Sequence, residues 1–193
     1  MILMEPFAAG LDLKTGVIDG APQLLQRRLS DMRTMYADHA AADAMLAQDN
    51  PLIYEVYATD LPESEGQVLY CTTVIYPGAV GDEYFMTKGH FHALRDRAEV
   101  YIGLAGEGYL LLATDTGEAR ALKMEPGVIT YVPPYWAHRT INCGGVPFVF
   151  LAAWPGDAGH DYATIETMGF PKLLVQRDSQ PTLIDNPRYR PTS

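Results

Sequence analysis

From residue 52 onward the chain is cut into short β-rich runs, and no other feature narrows its fold as much. The runs are LIYEVYAT, QVLYCTTVIYP, AEVYIGLAGEGYLLLATD, EARALKM, GVITYVPP, AHRTINC and PFVFLAAWP, with TDTG, EPG and CGG among the turns between them. β-branched and aromatic residues in such runs favour strands, and closely spaced turns join strands as hairpins. The series points to an all-β sandwich or small barrel. At 193 residues the chain is long enough for one domain with a sizeable core and short for two. We expect a single domain over 1–193, with a core at about 52–155, an N-terminal helical or strand extension at 1–51 and a C-terminal wrap at 156–193.

The flanks are less regular. Asp38 is a good N-cap for HAAADAMLAQD, a helix-forming stretch that stops at Asn50-Pro51. LLQRRLSDMRTMY before it reads equally as helix or strand. The tail holds His160, Tyr162 and a last apolar run, KLLVQ, before a Pro- and Arg-rich end.

Charge excludes several classes of function. With 24 acidic against 14 basic side chains the net charge is -10, a field that repels nucleic acid and anionic membranes. The same field opposes anionic small substrates unless a metal ion or local Lys, Arg and backbone N–H groups reverse it in one pocket. No stretch approaches the roughly 20 apolar residues of a membrane span, and MILMEPFAAGLDLKTG lacks a basic leader region, so the expected location is the cytoplasm. Cys71 and Cys143 lie in apolar strand-like stretches and are expected to be free thiols. Gly103, Gly106 and Gly108 do not have the spacing of a nucleotide-binding loop.

The chemistry concentrates in GHFHALRDRAEVYIGLAGEG. Residues i and i+2 of a strand project from one face, so His90 and His92 can aim two imidazoles at one point. Glu99 opens the following run, whose strand can lie antiparallel beside the first, and His138 in PPYWAHRTIN can bring a third imidazole. Three nitrogens and a carboxylate oxygen suit a divalent first-row metal; if they fill one hemisphere, the open positions make that metal catalytic.

These residues carry a resemblance. His90, His92, Glu99 and Gly106 resemble the first cupin motif, with a longer gap of six residues between His92 and Glu99. Gly127, Pro133, His138 and Asn142 fall in register with the second, with Tyr135 where that motif has glycine. The long gap, PGAVGDEYFMTKGHFH, PPYWAHRTIN and WPGDAGHDY together resemble the cupin-type, archaeal-type glucose-6-phosphate isomerases over roughly residues 27–187. The resemblance implies a cupin small β-barrel (jelly-roll), a homodimer, and one divalent metal ion per subunit held by His90, His92, Glu99 and His138. Fe2+ comes first for that ion, with Mn2+, Ni2+ or Zn2+ open. It implies a phosphosugar substrate whose phosphate meets Thr73, Thr87 and Gly89, with Tyr101, Trp154, His160 and Tyr162 around the sugar and Lys88 placed to add positive charge. Glu99, His160 and Tyr162 are the catalytic candidates.

Trp154 stands where a tyrosine is expected, and an indole N–H donates a hydrogen bond but accepts none. The implied reaction interconverts glucose 6-phosphate and fructose 6-phosphate, by an enediol with Glu99 as base or by a direct hydride shift. Two other classes fit the metal ligands: another metallo-cupin enzyme, such as a dioxygenase or a different sugar isomerase or epimerase, and a non-catalytic sugar-binding cupin. For the second, no basic helical segment suggests a DNA-binding partner module.

Overall fold

The structure, a computed structural model, describes residues 4–21 and 23–191. Strand β1 (Gln23–Arg28) leads into a helical turn, α1 (Leu29–Met32), and then α2 (His39–Leu46). Asp38 caps α2 as its side chain accepts from the Ala41 N–H at 2.9 Å. There follow β2 (Leu52–Ala58), β3 (Val68–Ile75), the short β4 (Ala79–Val80) and β5 (Glu83–Tyr84), β6 (Glu99–Ala105), β7 (Gly108–Ala113), β8 (Ala119–Met124), β9 (Ile129–Val132), β10 (Ala137–Asn142) and β11 (Phe148–Pro155). The chain ends in α3 (Tyr162–Met168), β12 (Lys172–Arg177) and β13 (Gln180–Asp185).

The ambiguous run before α2 divides. Its first half pairs with β2, Gln23 opposite Ala58 through Arg28 opposite Leu52, and its second half turns helical. The partner strand decides this, because local propensity favours neither state.

A large antiparallel sheet has the order β1-β2-β3-β11-β6-β9, and a smaller one β10-β7-β8. One apolar cluster joins their facing sides, with Ile75, Phe148 and Phe150 from the first and Leu110 and Leu112 from the second. This is the small β-barrel that the two motifs imply. A third sheet, β13-β12-β5-β4, brings the C-terminal segment against the barrel, and Phe170, Leu173 and Leu174 are buried there. That cover explains why all six residues of β10 are buried: one face of the strand looks into the barrel, the other into the C-terminal layer.

Tyr135 has φ 71°, the left-handed conformation that the glycine of the motif adopts freely. Its side chain is 63% exposed and its N–H donates to the Arg95 carbonyl at 2.6 Å, so the turn keeps its shape with the ring in solvent. Both cysteines are free.

Candidate metal centre and its cavity

The His90 segment pairs with β10 and not with β6. The His90 N–H donates to the His138 carbonyl at 3.2 Å and the His138 N–H returns the bond at 3.0 Å, while Phe91 bridges to Asp161. This differs from the expected hairpin with Glu99. The six-residue gap forms a loop long enough to carry the chain from β10's side across to β6, and His92 then reaches Glu99 through its ring. One potential ligand atom from each of His90, His92, Glu99 and His138 lies within 4.8 Å of the others, so the group can hold a metal ion.

Proton accounting makes the case for a cation here. The Arg97 carbonyl can only accept, so the His92 Nδ1 that lies 2.9 Å from it carries a proton, and in the neutral ring its Nε2 presents a lone pair. That Nε2 lies 3.1 Å from Glu99 Oε2. His138 repeats the pattern, with Nδ1 3.4 Å from the Trp136 carbonyl and Nε2 2.9 Å from the same Glu99 oxygen, off the line a hydrogen bond needs. The buried His90 Nε2 has no partner among the described residues. Lone pairs turned on a buried carboxylate repel it unless a proton or a metal ion stands between them. The donor set therefore fits a divalent cation.

Electrostatics agree. Burial pushes the Glu99 carboxyl up, but the His138, His92 and His90 rings outweigh it and hold the group well below the usual carboxylate range. Burial, then the neighbouring imidazoles, drives His90 well below the usual histidine value.

This cluster lies at the floor of a cavity of about 410 Å³, within the roughly 300–1,000 Å³ typical of small-molecule pockets. Thr73, Thr87, Lys88, Gly89, Tyr101, Trp154, His160 and Tyr162, all named from sequence, line it together with His90, Glu99 and His138. His160 stacks on Tyr162, ring centroids 5.7 Å apart and planes 7° from parallel, and lies 4.5 Å from the His90 ring. Burial pulls the His160 imidazole below its ordinary value, so it is neutral near pH 7, and pushes the Tyr162 hydroxyl up to about 12. Trp154 meets His160 edge to face at 5.9 Å, as part of the aromatic wall.

Elsewhere in the lining, Thr87 is fixed against β10. Its hydroxyl accepts from the Thr140 N–H at 3.0 Å, and its own N–H donates to the Thr140 carbonyl at 2.9 Å. Lys88 pairs with Glu166 on α3 and lies 5.1 Å over the Tyr162 ring. Gly89 has φ 75°, and a Cβ there would come within 2.8 Å of Phe170 and 2.9 Å of Arg139, so no other residue fits.

Sequence reasoning missed the contribution of the segment after β2. Thr59, Asp60, Leu61 and Glu63 also line the cavity, and they come from a loop without any motif to announce it. Arg95 and Arg97, in the loop between His92 and Glu99, are ion-paired. Arg95 holds Asp161, the N-cap of α3, at 2.7 Å, and Arg97 grips Asp157 with two bonds of 3.0 and 2.7 Å.

Residues 26–184 match the family model described as glucose-6-phosphate isomerase (GPI). The glucose-6-phosphate isomerase of Pyrococcus horikoshii is 52% identical over 186 residues, covering 96% of this chain and 98% of that protein. That of Sinorhizobium medicae is 39% identical over 191 residues, covering 97% of this chain and 89% of that protein. Among solved structures, one of an oxalate oxidase overlaps with a TM-score of 0.48 at 16% identity, over 61% of this chain and 58% of that chain.

Proposed function

The chain belongs to the glucose-6-phosphate isomerase family, and on that premise we propose how its own residues carry the reaction. Glucose 6-phosphate and fructose 6-phosphate interconvert by moving hydrogen between C2 and C1 of the open-chain sugar and shifting the carbonyl the other way. The observation that carries our reading is the pair of imidazole Nε2 atoms, of His92 and His138, turned on one buried Glu99 oxygen at the cavity floor. We read His90, His92, Glu99 and His138 as the residues that hold one divalent ion, Fe2+ in the first place and Mn2+, Ni2+ or Zn2+ as alternatives. When bound, such an ion polarises the adjoining sugar oxygens and acidifies the C2 hydrogen.

Glu99 takes the proton from C2, the carboxyl proton exchanges with solvent, and a proton is then delivered to C1, so the carboxylate is regenerated. A carboxyl group held at low pKa is a weak base, which is why the transfer needs a C2 hydrogen made acidic in advance. The second proton passes from O2 to O1. A neutral His160 ring can accept it on one nitrogen and release one from the other, and Tyr162, protonated near pH 7, can donate beside it. Thr73, Thr87, the Gly89 N–H and Lys88 hold the phosphate; these donors answer the repulsive net charge of the chain locally. Tyr101 and Trp154 close the apolar wall.

The finer readings follow the family resemblance: a single domain, a homodimer, and a cytoplasmic enzyme of glycolysis and gluconeogenesis. Isotope exchange tests the proton route. Converting glucose 6-phosphate in D2O is expected to place deuterium at C1 of the fructose product; a product free of deuterium at every extent of conversion counts against Glu99 as base and favours a hydride shift.

A further inference from the structure

Strand β10 alternates across the cavity wall. His138 and Thr140 face the cavity, while Arg139 between them points into the C-terminal layer, where it is 3% exposed. Its Nη2 donates to the Lys88 carbonyl at 2.7 Å, its Nη1 lies 3.1 Å from Met86 Sδ, and the guanidinium sits 4.4 Å over the Phe170 ring. The Lys88 carbonyl belongs to the same peptide unit as the Gly89 N–H. In a planar trans peptide these two groups point in opposite directions, so a bond that holds the carbonyl toward Arg139 turns the N–H toward the cavity. That N–H makes no hydrogen bond among the described residues. A cation on the carbonyl end also polarises the peptide and strengthens the N–H as a donor.

The arrangement is costly, which packing alone does not explain. Arg139 Nε, Glu83 Oε1 and the Tyr36 hydroxyl are buried in this layer without partners, and no ion pair joins Arg139 to Glu83 among the described residues. A buried guanidinium with incomplete pairing is destabilising relative to apolar side chains of similar size.

We propose that Arg139 is a positioning residue that, from behind the cavity wall, orients the Lys88–Gly89 peptide so that its N–H grips the substrate phosphate. The proposal rests on the reading of Thr87–Gly89 as the phosphate site. The double variant Arg139→Met with Glu83→Gln removes both buried charges together and so keeps the layer neutral. It is expected to melt no lower than wild type and to hold the same metal content. Its KM for fructose 6-phosphate and its Ki for inorganic phosphate are expected to rise together, by about tenfold, with kcat within about twofold. Arg139→Lys, which keeps the charge but loses the planar fork, is expected to give an intermediate rise. A folded double variant, or a folded Arg139→Lys, with the wild-type KM and Ki overturns the proposal. Calorimetry of inorganic phosphate on both proteins reads the same difference without turnover, so a wild type that failed to isomerise would strike the functional reading and leave this one still decided.

Discussion

On the cavity floor, His90 and His138 are locked by reciprocal backbone hydrogen bonds and Glu99 sits opposite Val132 in the β6–β9 ladder. Strand register sets these side chains. The rim is held differently: α3, which carries Tyr162, is tied to the loop after His92 by Arg95–Asp161 and to Lys88 by Glu166, contacts that join segments 66 or more residues apart. The floor is fixed by the barrel itself; the rim depends on the C-terminal segment docking. Damage to the floor is therefore expected in kcat and metal content, and damage to the rim chiefly in substrate affinity.

The sharpest break on the floor is Glu99→Gln. Loss of the base is expected to lower kcat by about 10²–10⁴-fold in a coupled assay, with far-ultraviolet dichroism unchanged. A decrease of only a few-fold removes Glu99 from the proton path.

The layer behind the rim makes a different prediction, on stability. Burial raises the folded-state pKa of Glu83 from the usual 4.5 to about 7, against the smaller opposing effects of the Ala37 N–H and Arg139. Between those values the folded chain keeps a proton that the unfolded chain has released, so stability falls as pH rises through the window and levels off above it. Glu83→Gln is expected to be neutral near pH 4.5 and to stabilise by about 2–3 kcal/mol at pH 8, read by denaturant unfolding at both values. Equal effects at the two pH values would show that the carboxyl ionises normally.

A smaller effect crosses from rim to floor. The Arg97 carbonyl fixes the His92 tautomer while its guanidinium grips Asp157 in the turn before His160. Asp157→Asn weakens that grip and is expected to lower metal affinity by about 10–100-fold in a competition titration with a chromogenic chelator. An unchanged affinity separates the two regions more completely than the geometry suggests. The smallest effect belongs to Trp154→Tyr, since the indole serves as wall: KM is expected to shift by no more than about threefold, and a larger gain in affinity would give a tyrosine hydroxyl there a substrate contact.

The same division governs what the sequence discloses. Strand alternation and turn residues fix β2, β3, β8, β10 and β11 to within about two residues at each end, whereas β6 and β7 read as one run and β9 fills only the middle of its own; the two motifs place all four candidate ligands, because their signal is local. The partner of the His90 segment was not legible, since either β6 or β10 satisfies the alternation and only the closed barrel chooses. Arg139 reads as an ordinary strand charge next to His138; it is buried against Met86, some fifty residues before it, and Phe170, some thirty after it, and nothing local announces either contact. Tyr135 is visible as a departure from its motif, but the exposed position that tolerates its left-handed backbone is not. The loop at Thr59–Glu63 enters the cavity through tertiary closure alone.

The central claim is that the floor makes this chain a metal-dependent isomerase. Its most direct test is chelator-stripped protein given Fe(II), Mn(II), Ni(II) or Zn(II) in turn, with fructose 6-phosphate, glucose-6-phosphate dehydrogenase and NADP. No NADPH formation is expected from the stripped protein, and its return is expected with at least one of the four metals. Full activity in the stripped protein, or none with any metal, would contradict the claim.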